Sequence, residues 1–247
     1  MKILIINPNT SESFTDKIRT NIQNYKLPTT NIIVKTASSG PESIESIYDE
    51  LLSAQGTLEI ALQNMNDCDG IVIACYSDHP TVYALREITD IPVLGIAESS
   101  MYLACMVGTQ FSIVTTNREW ESLLWDAVKH FGLADRCASV RSLGLPVLAL
   151  ENYSTEEIYS SILEIARKCV DVDNADVICL GCAGMTGFDK RISSELDVPV
   201  IDGVVSAVKL IEALDGYRIR TSKRLAYARP RYKNLIGLPP LFKNGYI

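Results

Sequence analysis

An internal repeat constrains the fold of this chain more than any other feature of the sequence. Residues 69–75 (DGIVIAC) and 176–182 (DVICLGC) share a pattern and lie 107 positions apart. The other matching pairs are 90–93 (DIPV) with 197–200 (DVPV), also 107 apart, and 5–7 with 113–115, 108 apart. Three pairs at nearly one offset indicate two halves with a single structural plan.

Each half alternates strand-like and helix-like segments. Strands are predicted at residues 2–7, 31–36, 70–74 and 91–96 in the first half, and at 111–115, 138–143, 176–181 and 198–201 in the second. The helical segments between them favour parallel sheets with right-handed crossovers. The sequence therefore predicts an α/β fold of two pseudo-symmetric lobes, each a parallel four-stranded sheet flanked by helices. We expect residues 1–97 and 205–247 to form the first lobe and 98–204 the second.

Composition and charge indicate a globular protein with an unusual tail. The chain is 47% hydrophobic and 21% charged, and no apolar run reaches the roughly 20 residues of a membrane helix. Its opening residues favour a strand over a signal peptide, so we expect a cytoplasmic protein. Residues 218–247 hold eight basic residues and no acidic one, in a chain of net charge −7. Because apolar residues interleave with these charges, we expect the tail to pack on its own acidic body or on a neighbouring subunit.

Cysteine and histidine counts limit the chemistry that the chain can support. Seven cysteines are an odd number, so reduced thiols are expected instead of a disulfide framework. The two histidines, His79 and His130, are far apart in sequence and leave little material for a zinc site. We expect no metal, no cofactor, and no nucleic-acid or membrane partner. The expected partners are a small-molecule substrate and further copies of this chain.

Two cysteines occupy equivalent places at the ends of the repeated strands. Parallel sheets bind ligands beyond the carboxyl ends of their strands. Asn7, Cys75, Thr115 and Cys182 all lie at such predicted ends. A pseudo-two-fold relation would bring Cys75 and Cys182 to opposite walls of a cleft between the lobes. The sequence therefore predicts an active site in that cleft.

Two thiols on opposite walls suit proton transfer at a carbon next to a carbonyl. One thiolate removes the proton while the other thiol delivers a proton to the opposite face, which inverts the stereocentre. A cysteine pKa near 8.5 can be shifted toward neutrality by its surroundings, and acid–base catalysis works best near the working pH. Residues 77–80 and 184–187 are predicted to be turns whose backbone N–H groups could stabilise a thiolate.

Each of these residues also has a purely structural interpretation. The five remaining cysteines are expected to be core residues: Cys68, Cys105, Cys137, Cys169 and Cys179. Cys179 and Cys182 form a C-x-x-C pair, but Cys179 lies within an apolar strand, which argues against a redox motif. His79 is expected at a helix start or on the surface, where it could tune Cys75. Asp78 could be only a helix N-cap, and Thr115 and Thr116 only polar residues at a strand end.

Six segments are informative when taken together: 6–11 (INPNTS), 74–78 (ACYSD), 95–98 (GIAE), 111–116 (FSIVTT), 180–185 (LGCAGM) and 220–223 (RTSK). They resemble the aspartate/glutamate/hydantoin racemase superfamily, and in particular its hydantoin racemase branch, which includes allantoin racemases. The resemblance implies cofactor-independent racemisation of 5-substituted hydantoins, with Cys75 and Cys182 as the two catalytic groups. It implies substrate contacts from Asn7, Tyr76, Ser77, Asp78, Thr115, Thr116, Ala183 and Gly184.

The chain departs from this branch just after the first cysteine. Many hydantoin racemases have Cys-Phe-Gly-Asp-Pro-Gly where residues 75–80 read CYSDHP. The added Tyr76 and Ser77 hydroxyls could suit a polar ring substituent, such as the ureido group of allantoin. Three alternatives stay open: an aspartate or glutamate racemase, a cysteine-dependent isomerase or decarboxylase of the same superfamily, and a two-lobed protein that binds a small ligand without catalysis.

Overall fold

Two parallel β-sheets of four strands each form the centre of the protein in a computed structural model, which describes residues 1–246. The strands are β1 (Lys2–Asn7), β2 (Asn31–Thr36), β3 (Gly70–Ile73), β4 (Val93–Gly95), β5 (Phe111–Thr115), β6 (Cys137–Ser142), β7 (Val177–Leu180) and β8 (Val200–Asp202). The helices are α1 (Glu12–Ile22), α2 (Ile47–Asn64), α3 (Pro80–Ile88), α4 (Ile96–Val107), α5 (Glu119–His130), α6 (Ala149–Asn152), α7 (Thr155–Asp171), α8 (Asp189–Leu196) and α9 (Gly203–Gly216).

The two sheets have the same topology. Their strand orders are β2-β1-β3-β4 and β6-β5-β7-β8, and every pairing is parallel. The registers also correspond, because Ile3 pairs with Gly70 in one sheet and Phe111 with Val177 in the other. The predicted fold class is therefore confirmed. The edge strands β4 and β8 are shorter than the sequence indicated, at three residues each.

The central strands explain why the repeat is so apolar. Every residue of β3 and of β7 is buried, as expected for strands of a parallel sheet that helices cover on both faces. Strands buried in this way read as continuous apolar runs, and each run ends just before a small residue, Ala74 or Gly181. The chain therefore leaves each sheet at its carboxyl end with Cys75 or Cys182 close behind.

Equivalent helices meet where the two sheets adjoin. Helices α4 and α9 follow directly after β4 and β8, and they pack against each other. Gly203 begins α9 against α4, and a Cβ there would lie 2.9 Å from the carbonyl oxygen of Ile96. Only glycine permits this approach. The predicted lobe boundaries near residues 98 and 205 fall in the first turns of these helices and stay a prediction.

The basic tail packs on the body of its own chain. The Thr221 backbone N–H donates to the carbonyl oxygen of Asp90, and the Lys223 ammonium donates to that of Arg86. Arg229 pairs with the Asp90 carboxylate at 3.0 Å. These contacts attach the tail to α3 and the loop before β4. Within residues 1–246, no helix combines the length and hydrophobicity required to cross a membrane.

Candidate active site

A cavity forms where the carboxyl ends of the two sheets face each other. Strands β1, β3, β5 and β7 all point their carboxyl ends toward it. Eight of the residues that the sequence singled out line this cavity: Asn7, Cys75, Tyr76, Thr115, Thr116, Cys182, Ala183 and Gly184. Ser77 and Asp78, which were also expected to contact substrate, do not line it. The structure thus brings both cysteines and both strand-end threonines to one place.

The two thiols lie on opposite lobes of this cavity. Cys75 comes two residues after β3, and Cys182 comes two residues after β7. Both cysteines are unpaired and only partly exposed. They are close enough that negative charge on Cys182 raises the pKa of Cys75. A small molecule between them would therefore meet one sulfur on each side.

Burial sets the acidity of both thiols. It raises the pKa of the Cys182 thiol from 9.0 to about 11, and it raises the pKa of Cys75 further still. The expectation that the surroundings shift these thiols toward neutrality is therefore wrong for the free enzyme. The physical reason is that desolvation destabilises a thiolate by more than the few nearby hydrogen-bond donors stabilise it.

Backbone donors surround Cys182. A single turn of 3₁₀ helix, Ala183–Met185, follows it directly. The backbone N–H of Gly184 donates to Sγ at 3.4 Å and lowers the pKa of this thiol, as does the nearby charge of Lys17. A Cβ at position 184 would lie 2.8 Å from the Phe14 ring and 2.9 Å from Leu150. Glycine thus lets this turn pack close enough to present its N–H to the sulfur.

A hydroxyl and a carboxylate surround Cys75 instead. The Ser77 hydroxyl lies 3.4 Å from the Cys75 sulfur and donates a short hydrogen bond to Glu50 Oε1. Glu50 belongs to the first turn of α2. Sequence reasoning missed it, although Ser53 and Thr57, one and two turns further along, also place polar side chains on the buried face of α2. Those buried polar residues were the available signal.

The hydroxyl of Tyr76 points away from substrate space. It forms a 2.8 Å hydrogen bond with Ser100 Oγ in the buried core. Because the Ser77 hydroxyl is engaged with Glu50, neither added hydroxyl is free to recognise a polar ring substituent. The suggestion that they would do so is not supported by this geometry.

Asp78 differs from expectation, whereas His79 lies at a helix start, one of its two expected places. Asp78 is not an N-cap: its carboxylate accepts a hydrogen bond from Tyr83 and pairs with His130. His79 is the N-cap of α3, and it is not a surface residue, since only 1% of it is exposed. Its ring contacts Ser53 Oγ at 2.9 Å. Burial lowers the pKa of His79 from 6.5 to about 4, so the imidazole is neutral at physiological pH.

Strand-end polar groups form a second wall of the cavity. The Asn7 amide donates to Asn9 Oδ1 at 2.8 Å and to the Ser11 carbonyl at 3.0 Å. Thr115 Oγ1 donates to the Gly181 carbonyl at 3.3 Å, and Thr116 Oγ1 donates to Asn117 Oδ1 at 3.3 Å. The long threonine contacts leave both hydroxyls able to turn toward a ligand.

Four large apolar side chains that sequence reasoning did not identify also line the cavity. They are Phe14, Ile44, Trp120 and Val147. These side chains come from a helix and three loop or helix-start positions far apart in sequence. Nothing in their local pattern distinguishes them from ordinary core residues, so only the fold reveals their common role.

Two equivalent loops close the cavity. The loop after β2 carries Glu45, whose Oε1 accepts a 3.2 Å hydrogen bond from the Val147 backbone N–H. The loop after β6 leads to Glu151, which accepts a 2.6 Å hydrogen bond from Ser11. Trp120 Nε1 adds a 3.3 Å bond to the Ile44 carbonyl. Each lobe thus sends a loop onto the other. Among residues 1–246, no cluster of three or more His, Cys, Asp or Glu side chains could hold a metal ion.

Comparison with known proteins identifies the family. The model of the Asp/Glu/Hydantoin racemase family matches residues 3–211. The chain belongs to this family. A hydantoin racemase from a Pseudomonas species is 40% identical over 238 residues, covering 96% of this chain and 95% of that protein. The resemblance predicted from the sequence motifs is therefore confirmed.

Solved structures of family members agree with this assignment. The crystal structure of an allantoin racemase from Pseudomonas fluorescens is 36% identical, with a TM-score of 0.92 over 96% of this chain and 100% of that one. An allantoin racemase from Klebsiella pneumoniae is 38% identical, with a TM-score of 0.91 over 96% of each chain. The protein is an enzyme that acts as a racemase.

Proposed function

We propose that this racemase inverts the ring stereocentre of 5-substituted hydantoins by proton transfer between Cys75 and Cys182. The observation that carries the proposal is the placement of these two thiols on opposite lobes of one cavity. The similarity to a hydantoin racemase and to allantoin racemases supports this substrate class.

The reaction needs one thiolate and one thiol at a time. The thiolate takes the proton from the ring carbon that adjoins the carbonyl, and an S–H bond forms as the C–H bond breaks. The C–H electron pair moves onto the carbonyl oxygen as an enolate. The opposite thiol then delivers its proton to the other face of the carbon and becomes the thiolate. The product is the mirror image, and the charge has moved from one sulfur to the other.

The polar wall is the proposed place for the hydantoin ring. Ring amide and carbonyl groups can exchange hydrogen bonds with Thr115, Thr116 and the backbone at Ala183 and Gly184, with Asn7 ordering the adjoining turn. Donors fixed before the reaction stabilise a developing enolate oxygen without further reorganisation. Ser77 and Asp78 are then assigned to support the Cys75 side of the site, not to contact substrate.

The apolar wall of the cavity favours an apolar substituent on the hydantoin ring. A ureido group placed against Phe14, Ile44, Trp120 and Val147 would lose hydrogen bonds to water, and burying such a group unpaired costs roughly 1–3 kcal/mol. An alkyl or aromatic group would gain from the same burial. The proposed substrates are therefore hydantoins with apolar 5-substituents, with allantoin a poorer substrate.

A substrate panel tests this proposal. Single enantiomers of 5-isobutyl-, 5-benzyl- and 5-ureidohydantoin (allantoin), together with aspartate and glutamate, are followed by polarimetry in ordinary and in heavy water. The expected result is loss of rotation for the first two compounds, no mass change in ordinary water, and one deuterium gained in heavy water. Faster racemisation of allantoin than of the apolar hydantoins would contradict the substituent assignment. Activity on the amino acids alone would overturn the hydantoin assignment.

A further inference from the structure

The Ser77 hydroxyl lies between two groups that compete for its proton. Its oxygen is 3.4 Å from Cys75 Sγ, and it donates to Glu50 Oε1. A serine hydroxyl has only one proton to donate. While Glu50 is ionised it takes that proton, and the oxygen then presents its lone pairs to the sulfur. A hydrogen bond from Ser77 would lower the pKa of Cys75, so Glu50 withholds from a Cys75 thiolate the donor that would stabilise it.

The charges near Cys75 act in the same direction. The ionisable groups that face this cluster are Glu50 from α2, Asp78 and His79 from the segment before α3, and Cys182 across the cavity. Burial and Asp78 raise the pKa of Glu50, while the Ser77 hydrogen bond lowers it. Besides burial, Glu50 is the largest cause of the raised pKa of Cys75. His79 is neutral, so no cation from this set offsets the charge.

The second lobe lacks both partners. Position 184 corresponds to Ser77, and it is a glycine whose N–H donates to Cys182. Helix α7 begins after the N-cap Ser154 as α2 begins after Ser46, so its fourth residue, Ile158, corresponds to Glu50. Ile158 is buried and uncharged. Of the charges near Cys182, that of Lys17 lowers its pKa and that of Glu45 raises it, so they oppose each other. A thiolate is therefore less strongly disfavoured at Cys182 than at Cys75.

We infer that Glu50, by its own charge and by holding the Ser77 proton, is a positioning residue that keeps Cys75 in the thiol form, so that Cys182 is the cysteine that ionises first in the free enzyme. The resting enzyme then accepts directly the enantiomer whose ring hydrogen faces Cys182. That catalytic consequence rests on the proposed two-thiol function. The protonation of the two cysteines does not, and it is measurable without substrate.

Pulse alkylation with iodoacetamide measures each thiolate separately, because only the thiolate reacts at an appreciable rate. The wild type and Glu50→Gln, Ser77→Ala and Glu59→Gln variants are labelled over pH 6–10, and the peptides with Cys75 and Cys182 are quantified by mass spectrometry. Glu59→Gln is the matched control, since it removes one carboxylate from the same helix where Glu59 bonds Ser38 and Gln55 instead.

In the wild type, Cys182 should be labelled at lower pH than Cys75. Glu50→Gln should raise the labelling rate of Cys75 at pH 8 roughly tenfold or more, since loss of one nearby charge lowers its pKa by about a unit. Cys182 should not change. Ser77→Ala should leave Cys75 slow, because the Glu50 charge stays and the hydroxyl, whose proton Glu50 holds, was not available to the sulfur. Glu59→Gln should match the wild type.

Several results would overturn the inference. These are preferential labelling of Cys75 in the wild type, an unchanged Cys75 profile in folded Glu50→Gln, or faster Cys75 labelling in Ser77→Ala. Equal acceleration of both cysteines in Glu50→Gln would indicate general loosening and would also count against it. If hydantoins are not racemised but the labelling pattern holds, the proposed function fails and the assignment of the thiolate stands.

Discussion

The two half-sites share a backbone plan but differ in the groups that surround their sulfurs. Cys75 faces the Ser77 hydroxyl and, through it, the Glu50 carboxylate. Cys182 faces the backbone N–H of Gly184, and an isoleucine takes the place of the carboxylate. Strand order, register and strand-end position are repeated, whereas hydrogen bonding and charge are not. The repeat therefore places two thiols opposite each other, and the differences make Cys182 the more acidic of the two.

Removal of either sulfur should have the largest effect. A serine hydroxyl is far less acidic than a thiol, so Cys75→Ser and Cys182→Ser should each reduce the racemisation rate by about a thousandfold or more. The polarimetric assay with a single enantiomer measures this loss. Cys105→Ser is the matched control, because Cys105 does not line the cavity, and it should keep near wild-type activity. Full activity in either active-site variant would remove that thiol from the mechanism.

The pH dependence of activity should follow Cys182. Burial raises the pKa of its thiol to about 11, below that of Cys75, so the thiolate population of the free enzyme grows about tenfold per pH unit below that value. We therefore expect kcat/KM to rise with pH between 7 and 10, with a slope near one on a logarithmic scale. A flat profile over this range would mean that the thiolate is already formed at neutral pH.

His79 should make the stability of the protein depend on pH, and the second lobe has no titratable group at the equivalent position. Its counterpart at the 107-residue offset is Thr186, which does not titrate. Because burial lowers the folded pKa of His79 from 6.5 to about 4, the unfolded chain binds a proton first as the pH falls. The stability from the neutral imidazole is complete above about pH 6.5 and is lost as the pH falls toward 4, by about 3 kcal/mol in total.

Denaturant unfolding between pH 7 and 4 measures this loss. A His79→Gln variant should be less stable at pH 7, since it loses some of the contacts with Ser53 and Thr81, but its stability should decline less steeply toward pH 4. Equal slopes for the two proteins would show that His79 does not titrate differently in the folded and unfolded states.

Equivalent substitutions at positions 77 and 184 should differ in stability. At Gly184→Ala the new methyl would meet Phe14 at 2.8 Å and Leu150 at 2.9 Å, and such overpacking costs about 1–3 kcal/mol. Ser77→Ala removes one hydroxyl without adding volume, so the cost should be about 1 kcal/mol or less. Chemical denaturation of the two variants compares them. A larger loss of stability in Ser77→Ala than in Gly184→Ala would contradict this difference between the half-sites.

The sequence predicts the fold well because the fold depends on patterns local to each strand. Buried parallel strands are continuous apolar runs, and their carboxyl ends are recognisable from the residues that follow. The positions of Asn7, Cys75, Thr115 and Cys182 at strand ends therefore follow from the sequence alone. The same locality explains the prediction of two sheets with one topology.

What the sequence could not predict depends on distant segments meeting. Glu50 reaches Ser77 across 27 positions of sequence, and Trp120 joins the cavity through its bond to Ile44. The acidity of the thiols was predicted in the wrong direction, because desolvation depends on loops from both lobes closing over the cavity. Asp78 was a candidate N-cap and is not one, since only the structure shows that His79, expected at a helix start or on the surface, caps α3.

Proton exchange in the two single-thiol variants tests the central claim most directly. In heavy water, Cys182→Ser retains only the Cys75 sulfur and Cys75→Ser only the Cys182 sulfur. Because the sulfurs face opposite sides of the carbon, each variant should exchange the ring hydrogen for deuterium, without inversion, in only one enantiomer of the hydantoin. The two variants should act on opposite enantiomers. Exchange of the same enantiomer by both variants would contradict two thiols that act from opposite faces.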